Sequence, residues 1–324
     1  MRAVLLRETR GPGALELTEI DEPQGGDGLV VIDVKAAGVS FPDLLLTRGE
    51  YQIQPEPPFV PGIEVAGVVV SAPADSGLEA GMRVAAMTGV GGGWAERCVA
   101  PAMLTFPIPD RMSDEQAAGF VMNYHTAHFA LHRRARLQAG ETVLVHGAGG
   151  GVGTAAIQVA KGLGAQVLAV AQGDLKAQAA MNAGADHAID PSEDWLGMVK
   201  DLTGKRGVDV IVDPVGGQRF ADSVRALAPE GRLLVIGFAE GKIPELRMNR
   251  VLLRNADIVG VNWGGFLGVH PELATSGARA LAELIEQGHI DPIVGATYPL
   301  ERAAQALTDL DERRAVGKLV ITVA

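Results

Sequence analysis

The sequence predicts an α/β protein in which a barrel-like β domain precedes a doubly wound parallel sheet. Between Val143 and Val261, short apolar strands alternate with helical segments, as in a parallel sheet covered on both faces. Earlier in the chain, short β-rich runs separated by glycine and proline indicate a barrel-like domain. We expect a β domain over 1–121, the parallel-sheet domain over 122–262, and a segment over 263–324 that returns to the first domain, because that tail is too short to fold alone.

Composition limits the class of protein. The 324 residues are 47% apolar and suffice for two domains, and the net charge of −11 argues against nucleic acid as a partner. A single cysteine, Cys98, excludes an internal disulfide and fits a reducing compartment. No apolar run reaches transmembrane length, and the N-terminal run is too short for a signal peptide. We expect a cytoplasmic protein that does not bind membranes.

Individual elements follow from apolar runs and from glycine and proline punctuation. In the first part, the sequence predicts a hairpin over 1–17, strands over 28–39, 65–71 and 83–87, a strand beginning at 91–96, a short helix after Ser40, and a final strand over 318–323. In the second part, it predicts strands over 143–145, 167–170, 187–190, 208–213, 233–236 and 258–261, with helices over 152–163 and 175–183, one containing Phe220, and one containing Leu281.

A glycine-rich turn follows the first of these parallel strands. Residues 147–153 contain five glycines and one alanine besides Val152, and lead directly into a helix. Strand, glycine turn and helix are typical of a dinucleotide-binding βαβ unit, in which the helix N-terminus faces a pyrophosphate. The first position of the G-x-G-x-x-G pattern is Ala148 rather than glycine, so an ordinary tight turn is the alternative. The surrounding strands and helices favour the dinucleotide interpretation.

Seven motifs fall in an order that resembles the medium-chain dehydrogenase/reductase superfamily, specifically its zinc-independent quinone oxidoreductase branch. They are Ala36–Val39 with Asp43, Pro61–Gly67, Gly93 with Ala95–Glu96, Thr126–Ala127, the glycine turn, Asp213 with Gly216–Gly217, and Gly317–Lys318. The resemblance covers nearly the whole chain. It implies a GroES-like β-barrel catalytic domain, an inserted Rossmann domain, and a nicotinamide cofactor in the cleft between them.

The zinc ligands of the zinc-dependent relatives are missing. Ser40 stands where those relatives carry cysteine, Ile63 where they carry histidine, and Met122 near another ligand. Serine, isoleucine and methionine do not form a zinc site, and the four-cysteine structural lobe is absent as well. Glu64 remains and is interpreted as a packed or hydrogen-bonded acid. We expect no metal, which makes alcohol oxidation improbable.

Histidines offer another candidate metal site. His125, His128 and His132 recur at helical spacing, so a metal cluster is conceivable, but a solvated or partly packed helix face is the preferred interpretation. His146 precedes the glycine turn and is interpreted as a buried structural residue.

The resemblance implies an NADPH-dependent reductase that transfers a hydride to a quinone or an activated alkene (enone or enal). A non-catalytic NADPH-binding protein on the same scaffold, or an enoyl-thioester reductase, are the alternatives. NADPH is predicted because Ala171 stands where NAD-specific proteins place an acid for the ribose 2′-hydroxyl. The resemblance makes Lys176, the N–H of Gly173 and, more weakly, Arg313 candidate phosphate contacts, and a solvated helix lysine is the less favoured alternative for Lys176.

The expected cofactor contacts come from the glycine turn, the second strand–helix junction, the fifth strand end and the Thr-Ala motif. They are Thr126, Ala148, Gly149, Gly150, Gly151, Val152, Gly153, Gly173, Lys176, Gly237, Phe238 and Arg313.

Three polar side chains are the candidate catalytic residues: Tyr51, Ser40 and Asp43. Hydride delivery builds negative charge on the acceptor oxygen, so a hydrogen-bond donor should lie there. Tyr51 is the candidate proton donor, with a half-buried loop aromatic as the alternative. Ser40 is a candidate hydrogen-bond partner of the substrate or the nicotinamide ribose. Asp43 is an orienting acceptor or, equally, a helix cap.

The last strand of the parallel sheet, over 255–261, is apolar and should lie at an edge. Apolar edge strands pair readily with another chain, so we expect a C2 homodimer.

Overall fold

The computed structural model describes residues 1–323 and divides the chain into two units. One unit is Met1–Met122 with Val294–Ala324, and the other is Asn123–Ile293. The return to the first unit therefore begins at Val294, whereas the sequence predicted that it begins at residue 263. The reason is packing: the side-chain amide of Gln158 donates to the carbonyl of Asp291 at 2.7 Å, which ties the end of this stretch to the second unit.

The strands of residues 1–323 are numbered in chain order. They are β1 (Arg2–Leu6), β2 (Leu15–Glu19), β3 (Leu29–Val39), β4 (Glu64–Ser71), β5 (Arg83–Met87), β6 (Arg97–Pro101), β7 (Thr105–Pro107), β8 (Thr142–His146), β9 (Gln166–Val170), β10 (His187–Ile189), β11 (Val208–Asp213), β12 (Leu227–Val235), β13 (Asp257–Gly260), β14 (Val294–Pro299) and β15 (Lys318–Thr322).

The α-helices are numbered in the same way. They are α1 (Phe41–Arg48), α2 (Asp114–Ala117), α3 (Val121–His128), α4 (Gly151–Gly162), α5 (Asp174–Asn182), α6 (Trp195–Leu202), α7 (Phe220–Ala226), α8 (Asn249–Arg254), α9 (Trp263–Leu267), α10 (Glu272–Glu286) and α11 (Ala303–Asp311). A π-helical segment, Phe129–Arg134, continues α3.

The first unit contains the β1–β2 hairpin and a sheet in the order β14-β15-β3-β4-β5-β7, with β6 also paired to β3. All pairs are antiparallel except β14 with β15. The last strand pairs with β3 in a register that sets Leu319 opposite Val39. Buried side chains such as Ile32, Leu44 and Trp94 fill the core of this unit.

The strand expected to begin at 91–96 starts later. In the structure β6 begins at Arg97, and Ala95 forms only an isolated bridge to Ala3. Gly91 and Gly92 have φ of 156° and 102°, a backbone region that favours glycine and turns the chain. The N–H groups of this turn bond to carbonyls of the proline-containing loop, for example Trp94 N to Pro61 O at 3.0 Å.

The second unit confirms the doubly wound parallel sheet. Its strands lie in the order β10-β9-β8-β11-β12-β13, and every neighbouring pair is parallel. The order reverses between β8 and β11, the switch point at which open α/β sheets bind ligands beyond the carboxyl ends of their strands. The glycine turn follows β8, and Asp213 ends β11. Strand β13 forms one edge.

No helix in residues 1–323 combines the length and the apolar character that crossing a membrane requires.

Candidate active site

The glycine turn connects β8 to α4 at the carboxyl edge of the parallel sheet. Gly147 has φ of 58°, and Gly150 is the N-cap of α4. The first N–H groups of an α-helix lack partners within the helix and carry the positive end of its dipole. The turn therefore presents backbone donors where a pyrophosphate would bind.

The glycines of this turn serve two different purposes. A Cβ on Gly149 would lie 2.4 Å from Cβ of Lys176, and one on Gly153 would lie 2.2 Å from the carbonyl oxygen of Gly147. A Cβ on Gly151 would lie 2.7 Å from the amide nitrogen of Asn123. Gly149 and Gly153 are required by packing against backbone atoms within the unit, whereas a Cβ on Gly151 would displace the end of the Asn123 side chain.

Gly150 differs, because the nearest atom to a Cβ there is the Gly147 carbonyl oxygen at 3.4 Å. Its backbone is partly exposed, so this is the glycine that leaves room for a ligand. The departure from the glycine pattern at Ala148 is also explained. The Ala148 methyl group is fully buried, and its N–H donates to Val170 O at 3.1 Å.

The end of β9 carries the residues expected to select the 2′-phosphate. Ala171 is buried, and Gly173, with φ of 80°, is the N-cap of α5. The N–H of Gly173, expected to be offered to the phosphate, is instead donated to Oδ2 of Asp190 at 2.9 Å. Hydrogen bonds from Ser192 and from Gly173 lower the pKa of Asp190, so this carboxylate is ionised at neutral pH. Gly173 therefore provides the positive φ at the N-cap of α5, and its N–H is already bonded to Asp190.

Lys176 lies in the first turn of α5 and is half-buried. Its Cβ packs against Gly149, which fixes its backbone beside the glycine turn. Arg313, the weaker phosphate candidate, belongs to the first unit, where it is exposed in the turn after α11 with φ of 60°.

Within the second unit, Phe238 lines a cavity of about 390 Å³ at the carboxyl ends of β12 and β13. Three phenylalanines and several aliphatic side chains form its walls. These are Phe129, Phe238, Phe266, Val235, Ile236 and Val261. In a dinucleotide-binding sheet, the second mononucleotide-binding half accepts the half of the cofactor that the first does not. Gly237 and Phe238 lie on that second half, and Thr126 is buried on α3.

In the first unit, Asp43 caps α1. Its Oδ2 accepts the N–H of Ser40 at 2.9 Å, and its Oδ1 accepts the N–H of Gly62 at 3.1 Å. Burial raises the pKa of Asp43 to about 7, although these hydrogen bonds and the charge of Lys318 favour the ionised form. Both carboxyl oxygens thus serve the backbone, as the capping interpretation requires.

Ser40 is part of a buried polar cluster of Ser40, Glu64 and Lys318, called here the Lys318 cluster. The ammonium of Lys318 donates to Ser40 Oγ at 2.8 Å and also to Glu64 Oε1. The Ser40 hydroxyl donates to the same carboxylate oxygen at 3.0 Å. The interpretation of Glu64 as a hydrogen-bonded acid agrees with this arrangement.

Tyr51 lies in the loop after α1 and is half-buried. Burial, followed by the negative charge of Asp43, raises the pKa of Tyr51 above its usual value. The phenol therefore keeps its proton at neutral pH, and this is the state a proton donor needs.

The sequence did not reveal that Lys318 belongs to this buried cluster. It is 5% exposed, although it opens an apolar strand at the end of the chain. A lysine next to a run of buried β residues was the available signal. Its partner Ser40 lies 278 residues away in the sequence, so only the fold reveals the contact.

The histidines of α3 and its continuation make ring contacts. His128 and His132 stack with their centroids 5.0 Å apart, and His125 lies 4.8 Å from the Trp263 ring. Burial, followed by His128, lowers the pKa of His125 to about 3, and burial, followed by His132, lowers that of His128 to about 4. His146 is buried, and its Nε2 lies 2.8 Å from Ser223 Oγ.

Two family models match the chain. Residues 26–110 match the alcohol dehydrogenase GroES-like domain, and residues 151–281 match the family described as zinc-binding dehydrogenase. These matches fall on the barrel-like sheet and on the parallel sheet, respectively.

Known proteins match over nearly the full length. Quinone oxidoreductase-like protein 2 of Rattus norvegicus is 37% identical over 99% of this chain and 92% of its own. A probable oxidoreductase from Mycobacterium abscessus is 45% identical with a TM-score of 0.90, covering 99% of this chain and 98% of that chain. Mycobacterial Rv1454c, solved in complex with NADPH, is 35% identical with a TM-score of 0.91 over 99% of each chain.

Zinc is part of one family description, yet the side chains at the expected place do not fit that metal. Zinc takes thiolate, imidazole or carboxylate ligands. Here Ser40 offers a hydroxyl that is bonded to Lys318, and Ile63 offers a buried hydrocarbon chain. The carboxylate of Glu64 is in an ion pair. Across residues 1–323, no three His, Cys, Asp or Glu side chains are grouped so as to hold a metal ion.

Proposed function

Because the chain belongs to the medium-chain dehydrogenase/reductase superfamily, in its quinone oxidoreductase branch, we propose that it uses NADPH to reduce a quinone or an activated alkene without zinc. The oxidoreductase class and the nicotinamide cofactor are properties shared with its relatives. The proposal concerns three further points, which are the acceptor class, the preference for NADPH and the independence of zinc.

The observation that carries the proposal is the turn around Gly150. It places helix donors at the carboxyl edge of a parallel sheet, beside the point where the strand order reverses. A buried alanine, Ala171, stands where an acid would oppose a 2′-phosphate. The complex of mycobacterial Rv1454c with NADPH supports the same cofactor here.

When bound, NADPH supplies a hydride equivalent from its nicotinamide ring. The glycine turn, Lys176 and the Gly237–Phe238 segment are the parts of this chain that would hold the cofactor. Tyr51 holds a proton on its phenol oxygen and gives it to the reduced acceptor, directly or through water. Ser40 contributes a hydroxyl to the same oxygen, and Asp43 fixes the backbone of Ser40 through the α1 cap.

The proposal is tested by measuring NADPH oxidation with and without benzoquinones, naphthoquinones, 2-alkenals and enoyl-CoA thioesters. We expect oxidation that depends on a quinone or an alkenal. Turnover of the thioesters alone would identify an enoyl-thioester reductase and contradict the proposed acceptor class. NADPH binding without turnover of any acceptor would make the protein a non-catalytic NADPH-binding protein.

Gly150→Val isolates the cofactor site in the same assay. A Cβ fits at Gly150, but a side chain there occupies the space left for the pyrophosphate. We expect NADPH affinity to fall by about tenfold or more, the equivalent of roughly 1.4 kcal/mol. Gly264→Val is the matched control, because Gly264 lies in the same unit and a Cβ there meets nothing within 4 Å. Unchanged NADPH affinity in Gly150→Val would place the cofactor elsewhere.

A further inference from the structure

The Lys318 cluster places charged side chains deep in the first unit. Glu64 and the adjacent Asp43 are fully buried, and Lys318 is 5% exposed. Burying ions costs free energy that only good geometry offsets. Two carboxyl groups and one ammonium at this depth therefore need a reason beyond stability, and buried charged groups of this kind are candidates for a functional role.

The polar groups of the cluster have defined partners. Oε1 of Glu64 accepts from Lys318 and from the Ser40 hydroxyl, and Oε2 accepts the N–H of Met122 at 3.0 Å. The ammonium of Lys318 donates hydrogen bonds to both Glu64 and Ser40. A single cation thus bridges a carboxylate and a hydroxyl oxygen, and the hydroxyl in turn donates its one proton to that carboxylate.

The backbone around these side chains is shaped to admit them. A Cβ on Gly119 would lie 2.7 Å from Cγ of Lys318, and a Cβ on Gly38 would lie 2.8 Å from Oε1 of Glu64. Neither glycine has a positive φ, so space and not conformation excludes a side chain. Glycine at position 119 leaves room for the Lys318 side chain, and glycine at position 38 leaves room for the Glu64 side chain and for the Ala118 carbonyl group.

We propose that the ammonium of Lys318 is the resident cation of this site, bonded to Ser40, which stands where zinc-dependent relatives carry a ligand, and to Glu64, and that it positions the Ser40 hydroxyl as a donor to the acceptor oxygen. The second half of this statement rests on the proposed function. Because Ser40 Oγ accepts from a cation, its own O–H is polarised and becomes a stronger donor. When charge builds on the acceptor oxygen, the hydroxyl turns from Glu64 toward it, while Lys318 keeps Glu64 neutralised. Lys318 is thus a positioning residue that acts through Ser40.

The test separates stability from positioning with a charge-neutral pair of substitutions. Lys318→Met alone leaves Glu64 buried without its cation, and we expect a large loss of thermal stability. Lys318→Met/Glu64→Gln removes both charges, and we expect it to recover most of that loss. In this folded double variant kcat should still fall by about tenfold or more, with the Kd of NADPH changed by less than about twofold.

Two further variants make the result specific. Lys318→Arg keeps a cation and should retain more activity than the double variant, whereas Lys35→Met, an exposed lysine of the same unit, should change neither stability nor kcat. A folded double variant with the wild-type kcat would overturn the positioning role. Stoichiometric zinc in the purified wild-type protein that is lost in Glu64→Gln would overturn the resident cation. If no acceptor is turned over by the wild type, the proposed function fails, while the stability cycle and the zinc analysis still decide whether Lys318 is the cation.

Discussion

Proton delivery depends on the phenol of Tyr51 in the proposed reaction. The raised pKa of Tyr51 keeps the proton on the phenol oxygen at neutral pH, so the proton is available for donation to the acceptor. Tyr51→Phe removes that donor and keeps the ring that fills the loop. We expect kcat for quinone or enone reduction to fall by about tenfold or more, with little change in NADPH affinity. Wild-type rates with every active acceptor would show that Tyr51 is not the donor and that water supplies the proton.

Cofactor choice depends on Lys176 at the same scale. Alanine keeps the Cβ that packs on Gly149, so Lys176→Ala removes the ammonium without opening the turn. We expect the ratio of kcat/KM for NADPH to that for NADH to fall by about tenfold or more, because an ion pair with a phosphate is lost. Lys200→Ala, a half-buried helix lysine of the same unit, is the control. Equal kcat/KM for the two cofactors in the wild type, or an unchanged ratio in the variant, would contradict this role.

The hydrogen-bond partners of the candidate catalytic residues could not be predicted from residue types. The resemblance to the family indicates Ser40, Asp43 and Tyr51 as site candidates, and the structure places Ser40 and Asp43 at the start of α1. The bonds that occupy them could not be read from the chain, because they join residues far apart in sequence, such as Ser40 and Lys318. The same is true of Gly173, whose N–H is taken by Asp190 from a neighbouring strand end.

At the scale of elements, the edge strand β13 carries the prediction of assembly. Ile258 is 37% exposed and lies next to Val259 on this edge. We expect a C2 homodimer in which this edge is paired. Ile258→Lys adds a charge that disfavours strand pairing between chains, and Val259→Pro removes a backbone donor. Both should convert the dimer to monomer in light scattering at micromolar concentration.

Thermal unfolding provides the control for these variants, because proline could also disturb the pairing of β13 with β12. The lysine variant should melt as the wild type does once dissociation is taken into account. A wild-type monomer, or a dimer that survives both substitutions, would contradict this assignment.

The inner strands β8, β9 and β11 of the parallel sheet could be predicted because they are almost entirely buried and their sequences are largely apolar. Strand β11 is buried at every residue, and its predicted bounds match. Strand β14 was missed, since its residues alternate between exposed and half-buried, and its sequence contains little but small side chains. Strand β12 begins at Leu227, a residue that the sequence pattern assigns to the preceding helix. Pro229 and Gly231 make the first half of this strand difficult to recognise from the sequence.

At the scale of the whole molecule, buried histidines set the response of stability to acid. The native pKa values of His125, His128 and His146 lie at about 3, 4 and 4, mainly because of burial, against 6.5 for the free side chain. A lowered pKa means that the unfolded chain binds more protons between pH 6.5 and 4. The contribution of these histidines to stability is therefore complete above pH 6.5 and falls as the pH drops toward 4. Asp43 acts in the opposite sense, because its pKa is raised and its contribution is lost as the pH rises toward 7.

His128→Gln tests this balance in urea unfolding at pH 7 and pH 5. A tenfold change in proton affinity is worth about 1.4 kcal/mol, so removing one such group should visibly reduce the loss of stability at pH 5. His289→Gln, at an exposed position of the same unit, should leave the difference between the two pH values unchanged. An identical pH dependence in His128→Gln and the wild type would contradict the assignment.

Division of the chain into two units was predictable in outline, while the second boundary was not. Residues 263–293 contain α9 and α10, whose helical pattern is compatible with either unit. Only tertiary contacts, such as that of Gln158 with Asp291, assign this stretch to the second unit.

Transfer of deuterium from NADPH labelled at nicotinamide C4 to an enone tests the central claim most directly. If the chain is a hydride-transferring reductase, one face-specific label should appear on the β-carbon of the saturated product, and the second hydrogen should come from solvent. Product that carries no deuterium from either labelled face, or no product from any acceptor despite saturable NADPH binding, would contradict it.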